Sequence, residues 1–464
     1  MIMNFWDYNI WSTLVQLSVV LLSILLGNVI RRKVKFIKNS LLPASVIGGT
    51  IIFILKFIPQ VSKFIDSSFM EALTYHCLGL GFIALSLKTN EKRKDDNKLI
   101  IMDSGIITVN GYLIQAIIGL TITILLAITV LPNFFPAAGL LLPMGYGQGT
   151  GQALNIGKVF EGLGFKNGTS FGLAIAAVGF MVACIVGVIY LNILKKKGKL
   201  ELQQQRKVDS SLLNSDIYEK DEAPLNESVD KLTMQIAIII SVYVVTFLVI
   251  LGLSFLSENY LGKFGVNTVK PLLWGFNFLF GSIFAILTKK VFSILRKHKI
   301  MTHQHINNYM MNRLSGLFFD VMIVSGIAAI DWQNLTGLLI PLILVCVFGA
   351  IGTFFYIKWV CKKIYPNYEY EAFFSIFGML TGTASTGMIL LREIDPNFET
   401  PASQNLVLQQ LPAIIFGAPL LLMVGFAGQK ELTNTLIVFG VIIVMFIVYN
   451  IILLRKYIFK KKNK

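Results

Sequence analysis

The chain has 464 residues, of which 55% are hydrophobic and only 14% are charged, and its formal net charge is +16. A water-soluble domain carries roughly 25% charged residues, so this composition predicts an all-α polytopic membrane protein instead. The four cysteines show no CxxC or Cys/His spacing, which argues against a zinc site or a disulfide framework.

Apolar stretches long enough for membrane helices recur along the chain. A transmembrane helix needs about 20 mostly apolar residues, and we predict eleven crossings. The polar stretch 195–231, between the fifth and sixth crossings, is predicted to be a flexible cytoplasmic linker. The predicted crossings are 10–30, 41–58, 70–88, 99–131, 168–194, 232–256, 270–288, 314–330, 337–358, 404–427 and 433–454.

Two polar, glycine-rich segments interrupt this apolar pattern: GYGQGTGQALN at 145–155 and GMLTGTASTG at 378–387. Glycine disfavours a helix interior by about 1 kcal/mol relative to alanine, so both segments predict broken helices. Unwound backbone at membrane depth persists only where protein or a water-filled cavity receives its polar groups. Such a pair in matching places of two halves is typical of a transporter's binding site, and we predict re-entrant hairpins at 136–160 and 371–390.

Lysine and arginine are distributed unevenly over the connections. The connections after odd-numbered crossings, together with the C-terminus, hold 34 of them, and the opposite connections hold 6. This asymmetry predicts an outer N-terminus and a cytoplasmic C-terminus, provided that neither hairpin crosses the bilayer. It also explains the net charge without a nucleic-acid partner, since the cytoplasmic clusters would face anionic lipid headgroups.

The same alternation predicts an inverted-topology repeat with five plus five transmembrane helices. Residues 1–194 would form the first repeat with its hairpin, and 232–430 the second repeat in the opposite orientation. Residues 431–464 would add one C-terminal helix and a basic tail. The protein would then reside in the cell membrane as a multi-pass chain.

The predicted hairpin tips offer groups for an anion and for a hard cation. The return limb of the first hairpin would begin as a helix whose free N–H groups attract anions, with Thr150 as its cap. Hydroxyls and unwound carbonyls of the second would suit Na⁺. Close packing of small residues is the alternative, and it accounts poorly for the amides. The predicted substrate-binding residues are Gly147, Gln148, Gly149, Thr150, Gly151, Gln152, Gly382, Thr383, Ser385 and Thr386, and the predicted sodium-binding residues are Asn155, Thr381 and Asp320.

Asp320 is included because ionisable residues inside a membrane span are functional candidates by default. It follows Arg313 by seven residues, which places it about 10 Å deep at 1.5 Å per helical residue. We expect it to coordinate Na⁺ or to carry a proton, with an ion pair inside the bundle as the alternative.

These segments resemble the bacterial glutamate:sodium symporters (ESS-type). The resemblance rests on GYGQGTGQALN with the following SFGLAIAAVGFMVACIVG, on GMLTGTASTGM, and on LLPASVIGGTIIFIL near the N-terminus. It implies Na⁺-coupled uptake of L-glutamate, inverted repeats with re-entrant loops, and a homodimer that needs no cofactor beyond its coupling ion. The pore-loop positions would be 147–151 and 382–386.

Three other functions are weighed against this prediction. A proton- or Na⁺-coupled carrier for another di- or hydroxycarboxylate fits the same amides and hydroxyls. A passive channel would conduct without concentrating its substrate. An intramembrane enzyme would need a nucleophile–base pair or a metal cluster at membrane depth, and the sequence displays neither.

Overall fold

The computed structural model describes residues 8–35, 37, 42–88, 98–200, 231–301, 304–395, 400–428 and 432–455. In these ranges the chain forms helices without a β-strand, which confirms the all-α prediction. The α-helices are α1 (Tyr8–Lys33), α2 (Ala44–Leu55), α3 (Pro59–Phe64), α4 (Ser67–Leu87), α5 (Lys98–Thr129), α6 (Thr150–Gly162), α7 (Gly168–Lys196), α8 (Lys231–Phe264), α9 (Lys270–Gly275), α10 (Asn277–Lys297), α11 (Asn308–Ala329), α12 (Leu339–Ile364), α13 (Glu369–Thr381), α14 (Ala384–Arg392), α15 (Ala402–Leu408), α16 (Gln410–Ala427) and α17 (Leu432–Leu453).

Nine helices in the described part of the chain are long and apolar enough to cross a membrane. They fall on nine of the eleven predicted crossings, which confirms a multi-pass membrane protein. These membrane-length helices are Trp11–Lys33, Ser67–Leu87, Leu99–Thr129, Gly168–Lys196, Lys231–Gly262, Asn277–Lys297, Asn308–Ala329, Gln333–Ile364 and Leu432–Leu453.

The remaining two predicted crossings, 41–58 and 404–427, contain shorter apolar helices, and both stay predictions. Helix α2 has 12 residues, so at 1.5 Å per residue it extends about 18 Å, short of a hydrocarbon core of about 30 Å. Pro59 begins the next helix. The second stretch is divided between α15 and α16, and α16 contains Pro419. Because proline lacks a backbone N–H, Pro419 removes one backbone hydrogen bond within α16.

The chain divides into two compact units. The first comprises Met1–Glu71, Asp95–Gln205 and Ile323–Lys464, and the second comprises Ala72–Lys94 and Arg206–Met322. Each unit therefore draws on both halves of the sequence. The repeat boundaries proposed from the sequence, and the inverted symmetry itself, remain predictions.

The second unit packs α4, α8, α10 and α11 around an apolar core. Ile83, Ile239, Ala285 and Met311 are among its buried side chains, one from each of these helices. Inside a bilayer, close packing of such side chains holds helices together, because the lipid tails around them are equally apolar.

In the first unit, helix α13 is an interior element. All of its residues from Ala372 to Thr381 are buried. Tyr190 of α7 and Phe354 of α12 both contact the ring of Phe373, with centroids 5.1 and 5.3 Å away. A helix that is apolar on every side belongs inside a bundle. Helix α13 is such a helix, with α7 and α12 packed against it.

Candidate functional site

The first broken segment comprises residues 136–162. It contains a 3₁₀ turn at Pro136–Leu140, a π-helical turn at Pro143–Gly147 and then α6. The break is narrower than the sequence predicted, because only Gly149 leaves the helical region, with φ 82° and ψ −170°. The predicted cap is also wrong: Thr150 is the first helical residue, and no side chain caps α6.

The two ends of this first broken segment lie beside each other. The ring of Phe135, just before the segment, stacks on Phe165, just after it, with centroids 5.1 Å apart. Phe135 also contacts Phe160, with centroids 5.2 Å apart. The chain therefore runs from this aromatic cluster to Gly149 and returns to the same place.

The second broken segment comprises residues 369–392, with α13 and α14 as its limbs. The break falls at Gly382 and Thr383, and the hydroxyl of Thr383 caps α14 by accepting from the backbone N–H of Thr386 over 3.4 Å. The limbs touch through two glycines: a Cβ atom on Gly378 would lie 2.8 Å from Cα of Gly387. Such an approach is closed to any residue with a side chain.

The two breaks meet. A Cβ atom on Gly149 would lie 3.7 Å from Cγ2 of Thr383 and 3.8 Å from the carbonyl oxygen of Gly382. Gln148 and Thr383 are half-buried there, whereas Gly147, Thr150, Thr381 and Thr386 are buried. The breaks thus form one polar cluster with an accessible side.

Helix α7 contacts the first broken segment through its early glycines. A Cβ atom on Gly157 would lie 2.8 Å from the carbonyl oxygen of Gly168, at the start of α7. One turn later, a Cβ atom on Gly172 would lie 2.8 Å from the carbonyl oxygen of Ala153. Residues of the first broken segment that are nearer to Gly149 therefore lie against later residues of α7.

The later glycines of α7 contact the second broken segment. A Cβ atom on Gly179 would lie 2.5 Å from the carbonyl oxygen of Thr381, and one on Gly187 would lie 2.9 Å from Cδ1 of Leu390. Leu390 belongs to the outgoing limb, α14, away from the break. The two segments therefore reach the middle of α7 from its opposite ends.

Gln115 of α5 links the second broken segment to helix α12 through hydrogen bonds. Its side chain is completely buried, and its Nε2 donates to the carbonyl oxygen of Leu380 over 2.8 Å and to the hydroxyl of Thr353 over 3.1 Å. The sequence marks Gln115, with Asp103 and Asn110, as a polar residue of the fourth predicted crossing, but it was not assigned to the substrate or sodium site. The signal available was an amide inside a long apolar helix, between Gly111 and Gly119.

The remaining predicted residues differ in their surroundings. Asn155 Nδ2 donates to Gln152 Oε1 over 3.3 Å, one helical turn apart on α6. Gly326 of α11 packs directly on Thr150, with a Cβ position 2.6 Å from that of Thr150. Ser385 is helical, but its side chain lies outside the described part of the structure.

Asp320 differs from the other predicted site residues. It lies on α11 within the second unit and is exposed, whereas both breaks belong to the first unit. Its assignment to Na⁺ remains a prediction.

The electrostatics of the cluster come from the backbone. Residues 147–152 and 381–386 include no ionisable side chain. Two helices, α6 and α14, begin at the breaks, and two others, the π-helical turn and α13, end there. Helix N-termini carry partial positive charge and C-termini partial negative charge, so the cluster offers ends for both an anion and a cation.

The family model described as Sodium/glutamate symporter matches residues 7–400. The chain belongs to the sodium/glutamate symporter family. Comparisons with curated proteins and with solved structures found no match. The family indicates Na⁺-coupled symport of glutamate across a membrane and a transporter rather than an enzyme. In the described part of this symporter, no group of three or more His, Cys, Asp or Glu side chains is arranged to hold a metal ion.

Proposed function

We propose that this symporter binds L-glutamate and Na⁺ where its two broken segments meet, and moves them by alternating access. The observation that supports this most is the contact of Gly149 with Gly382 and Thr383. Discontinuous helices that meet in this way bring both kinds of helix end to one place, as transporter sites require.

The site lies near the middle of the membrane in this proposal. From Gly168, at the start of α7, to Gly179, beside the second break, there are eleven residues. At 1.5 Å per residue this is about 16 Å, roughly half of a hydrocarbon core of about 30 Å. The broken segments would then be re-entrant hairpins entering from opposite faces.

Substrate carboxylates would bind at the N-termini of α6 and α14. The first-turn N–H groups at a helix N-terminus point toward an anion and can donate to it. Gln152, in the first turn of α6, is 1% exposed, and its Nε2 has no hydrogen-bond partner among the described residues. Because its Oε1 accepts from Asn155, the Nε2 remains available to donate to a carboxylate.

Na⁺ would bind at the opposite helix ends, where carbonyl oxygens are available. Thr381, the last residue of α13, is fully buried. If the bound ion completes the glutamate site, each ligand raises the affinity of the other by the same factor.

Side-chain contacts within the first unit support the proposed topology. Lys158 pairs with Glu71 over 2.8 Å, and Lys56 donates to the carbonyl oxygen of Ile330 over 3.0 Å. All four residues are placed by the positive-inside pattern at the outer face. Partial burial lowers the pKa of Lys158, but Glu71 and Glu161 outweigh it and raise the pKa, so Lys158 stays positively charged at physiological pH.

Residues assigned to the cytoplasmic face are also joined in pairs. Arg455 binds Asp103 through two bonds of 2.7 and 3.2 Å, and the hydroxyls of Ser104 and Tyr365 lie 2.5 Å apart. An outer N-terminus, a cytoplasmic C-terminus and basic clusters facing anionic lipid follow as part of the proposal. A homodimer is proposed on the family resemblance.

Thr383→Val is the variant that tests the site. Removing the Thr383 hydroxyl, which caps α14 at the second break, should lower initial L-glutamate uptake about tenfold or more, since a hydrogen bond to a charged group is worth about 1.5–3 kcal/mol. Thr383→Ser keeps the hydroxyl and should transport. The measurement is Na⁺-driven uptake of L-glutamate by proteoliposomes, with a K⁺ gradient as the blank.

Thr336→Val, at an exposed hydroxyl away from the breaks, serves as the matched control. Gln148→Ala is expected to behave as Thr383→Val does. Uptake at the wild-type rate by both Thr383→Val and Gln148→Ala would show that the two breaks do not form the substrate site.

A further inference from the structure

The orientation of the Gln115 amide is determined by its neighbours. The hydroxyl of Thr353 donates to the carbonyl oxygen of Gly349 over 2.7 Å, so toward Gln115 it can only accept. The carbonyl oxygen of Leu380 also can only accept. Both neighbours therefore require the Nε2 group, whose two N–H bonds they use, and Oε1 must point elsewhere.

The Oε1 atom of Gln115 points toward the first break. A Cβ atom on Gly147 would lie 3.2 Å from this oxygen and even closer to two ring carbons of Tyr112. Gly147 therefore packs directly against both side chains. Gln115 is fully buried, and Oε1 has no hydrogen-bond partner among the described residues. A buried acceptor without a donor is unusual in a native protein and calls for an explanation such as an ion.

We propose that Gln115 Oε1 is a ligand of the coupling Na⁺. This inference rests on the proposed function and names a residue of that site. Unwound backbone carbonyls coordinate Na⁺ in transporters with discontinuous helices, and the amide oxygen of Gln115 is a neutral oxygen ligand of the same kind. The π-helical turn that ends at Gly147 and helix α13, which ends at Thr381, present partially negative C-termini on the two sides of this amide. One side chain thus contacts the second break with its nitrogen and leaves its oxygen beside the first.

The binding of Na⁺ would then connect the two broken segments. The ion would hold Gln115 Oε1 beside Gly147 while Nε2 keeps the carbonyl of Leu380 in place. Coupling follows because the same side chain orders both breaks before glutamate binds. Such an effect is reciprocal, so glutamate would also strengthen Na⁺ binding.

Gln115→Leu tests the proposal, because leucine keeps the approximate volume and removes the oxygen. In proteoliposomes, the Na⁺ concentration for half-maximal L-glutamate uptake should rise about tenfold or more, the change in affinity that corresponds to 1.4 kcal/mol. The glutamate concentration for half-maximal uptake, measured at saturating Na⁺, should change much less.

Two further variants separate loss of the oxygen from loss of structure. Gln115→Asn is one methylene shorter but keeps both the amide oxygen and the donating N–H groups, and it should activate at a Na⁺ concentration closer to wild type than Gln115→Leu does. Thr353→Val removes one acceptor of Nε2 but leaves Oε1 unchanged, so its Na⁺ activation should match wild type.

Three outcomes would overturn the assignment. They are wild-type Na⁺ activation in Gln115→Leu, an equal shift in Thr353→Val, and a shift confined to glutamate affinity, which would place the oxygen on the substrate's ammonium group. Wild-type protein that takes up glutamate equally in Na⁺ and K⁺ would instead refute the proposed function.

Discussion

Among single residues, Gly149 is the one whose backbone geometry most restricts substitution. Its φ of 82° and ψ of −170° lie in a region that essentially only glycine populates. Space is not the limit, because a Cβ atom there would meet Thr383 at 3.7 Å, an ordinary contact. A side chain at this position would therefore be resisted by the backbone alone.

Gly149→Ala should cost about 1–3 kcal/mol, the range for a residue held in such a conformation. We expect a lower thermal unfolding midpoint in detergent and slower Na⁺-driven glutamate uptake. Gly162→Ala is the matched control, since nothing lies within 4 Å of a Cβ atom there and its φ is not positive. Equal effects of the two changes would show that the conformation at Gly149 is unimportant.

The polar residues of the breaks could be predicted from the sequence, but the width of the first break could not. The glycine-rich run suggested unwinding through Gly145–Gly151, whereas Gly145 lies in a π-helical turn and Gly151 in α6. Gly145 is needed for approach, as a Cβ atom on it would lie 2.9 Å from the backbone nitrogen of Ala176. Helix propensity is a weak prior that such packing overrides.

Gln115 could not be assigned to the site from the sequence for a related reason. Its importance depends on α13 lying against α5, and no local pattern on α5 encodes that neighbour. Sequence periodicity identifies the helices of a membrane protein far better than it identifies which of them touch.

At the scale of helices, α17 is anchored at its C-terminal end by an ion pair with α5. Arg455 makes two hydrogen bonds to Asp103, which is 4% exposed. The side chain of Arg455 is 30% exposed, so water screens the pair in part. The contact joins the last helix to a helix more than 300 residues earlier in the chain.

Arg455→Met should destabilise the protein by leaving the Asp103 carboxylate buried beside an apolar side chain. The loss should be smaller than the roughly 3–5 kcal/mol typical of a fully buried pair. Adding Asp103→Asn should restore part of it, because a neutral amide tolerates burial better than a carboxylate. Thermal unfolding in detergent measures both effects, and a double variant no more stable than Arg455→Met would contradict this account.

The bounds of the helices within 41–58 and 404–427 could not be predicted from hydropathy. Hydropathy treats 41–58 and 404–427 as spans, yet α2 ends after 12 residues and α16 begins only at Gln410. Proline positions within or beside these stretches were the available signal. A window average of hydropathy conceals them.

For the whole molecule, the proposed topology can be measured by chemical labelling. A cysteine introduced at Lys158→Cys should react with a membrane-impermeant maleimide added outside intact cells. One introduced at Lys363→Cys should react only after the membrane is opened. Both positions are solvent-exposed enough to react, with 50% of the Lys158 side chain accessible.

The background for this assay is low, because all four native cysteines are buried. Labelling with the opposite sidedness would overturn the orientation while leaving the contacts between the two breaks unaffected.

The membrane class, most of the long helices and the family were predictable, since each depends on composition, hydropathy or a local motif. The division into two units was not. The first unit combines three separate stretches of sequence, and the second inserts Ala72–Lys94 from the N-terminal half among residues of the middle. This division depends on packing between residues far apart in the chain, and hydrophobic periodicity within one stretch does not report such packing.

The absence of ionisable side chains from residues 147–152 and 381–386 has a consequence for bioenergetics. A transmembrane voltage does work only on charge that moves through it. When the site is empty, the breaks hold only amides, hydroxyls and peptide dipoles, so their reorientation displaces no side-chain charge. The field acts on this site chiefly through the ions and the acid that occupy it, and the loaded carrier should be the form whose transit responds to membrane potential.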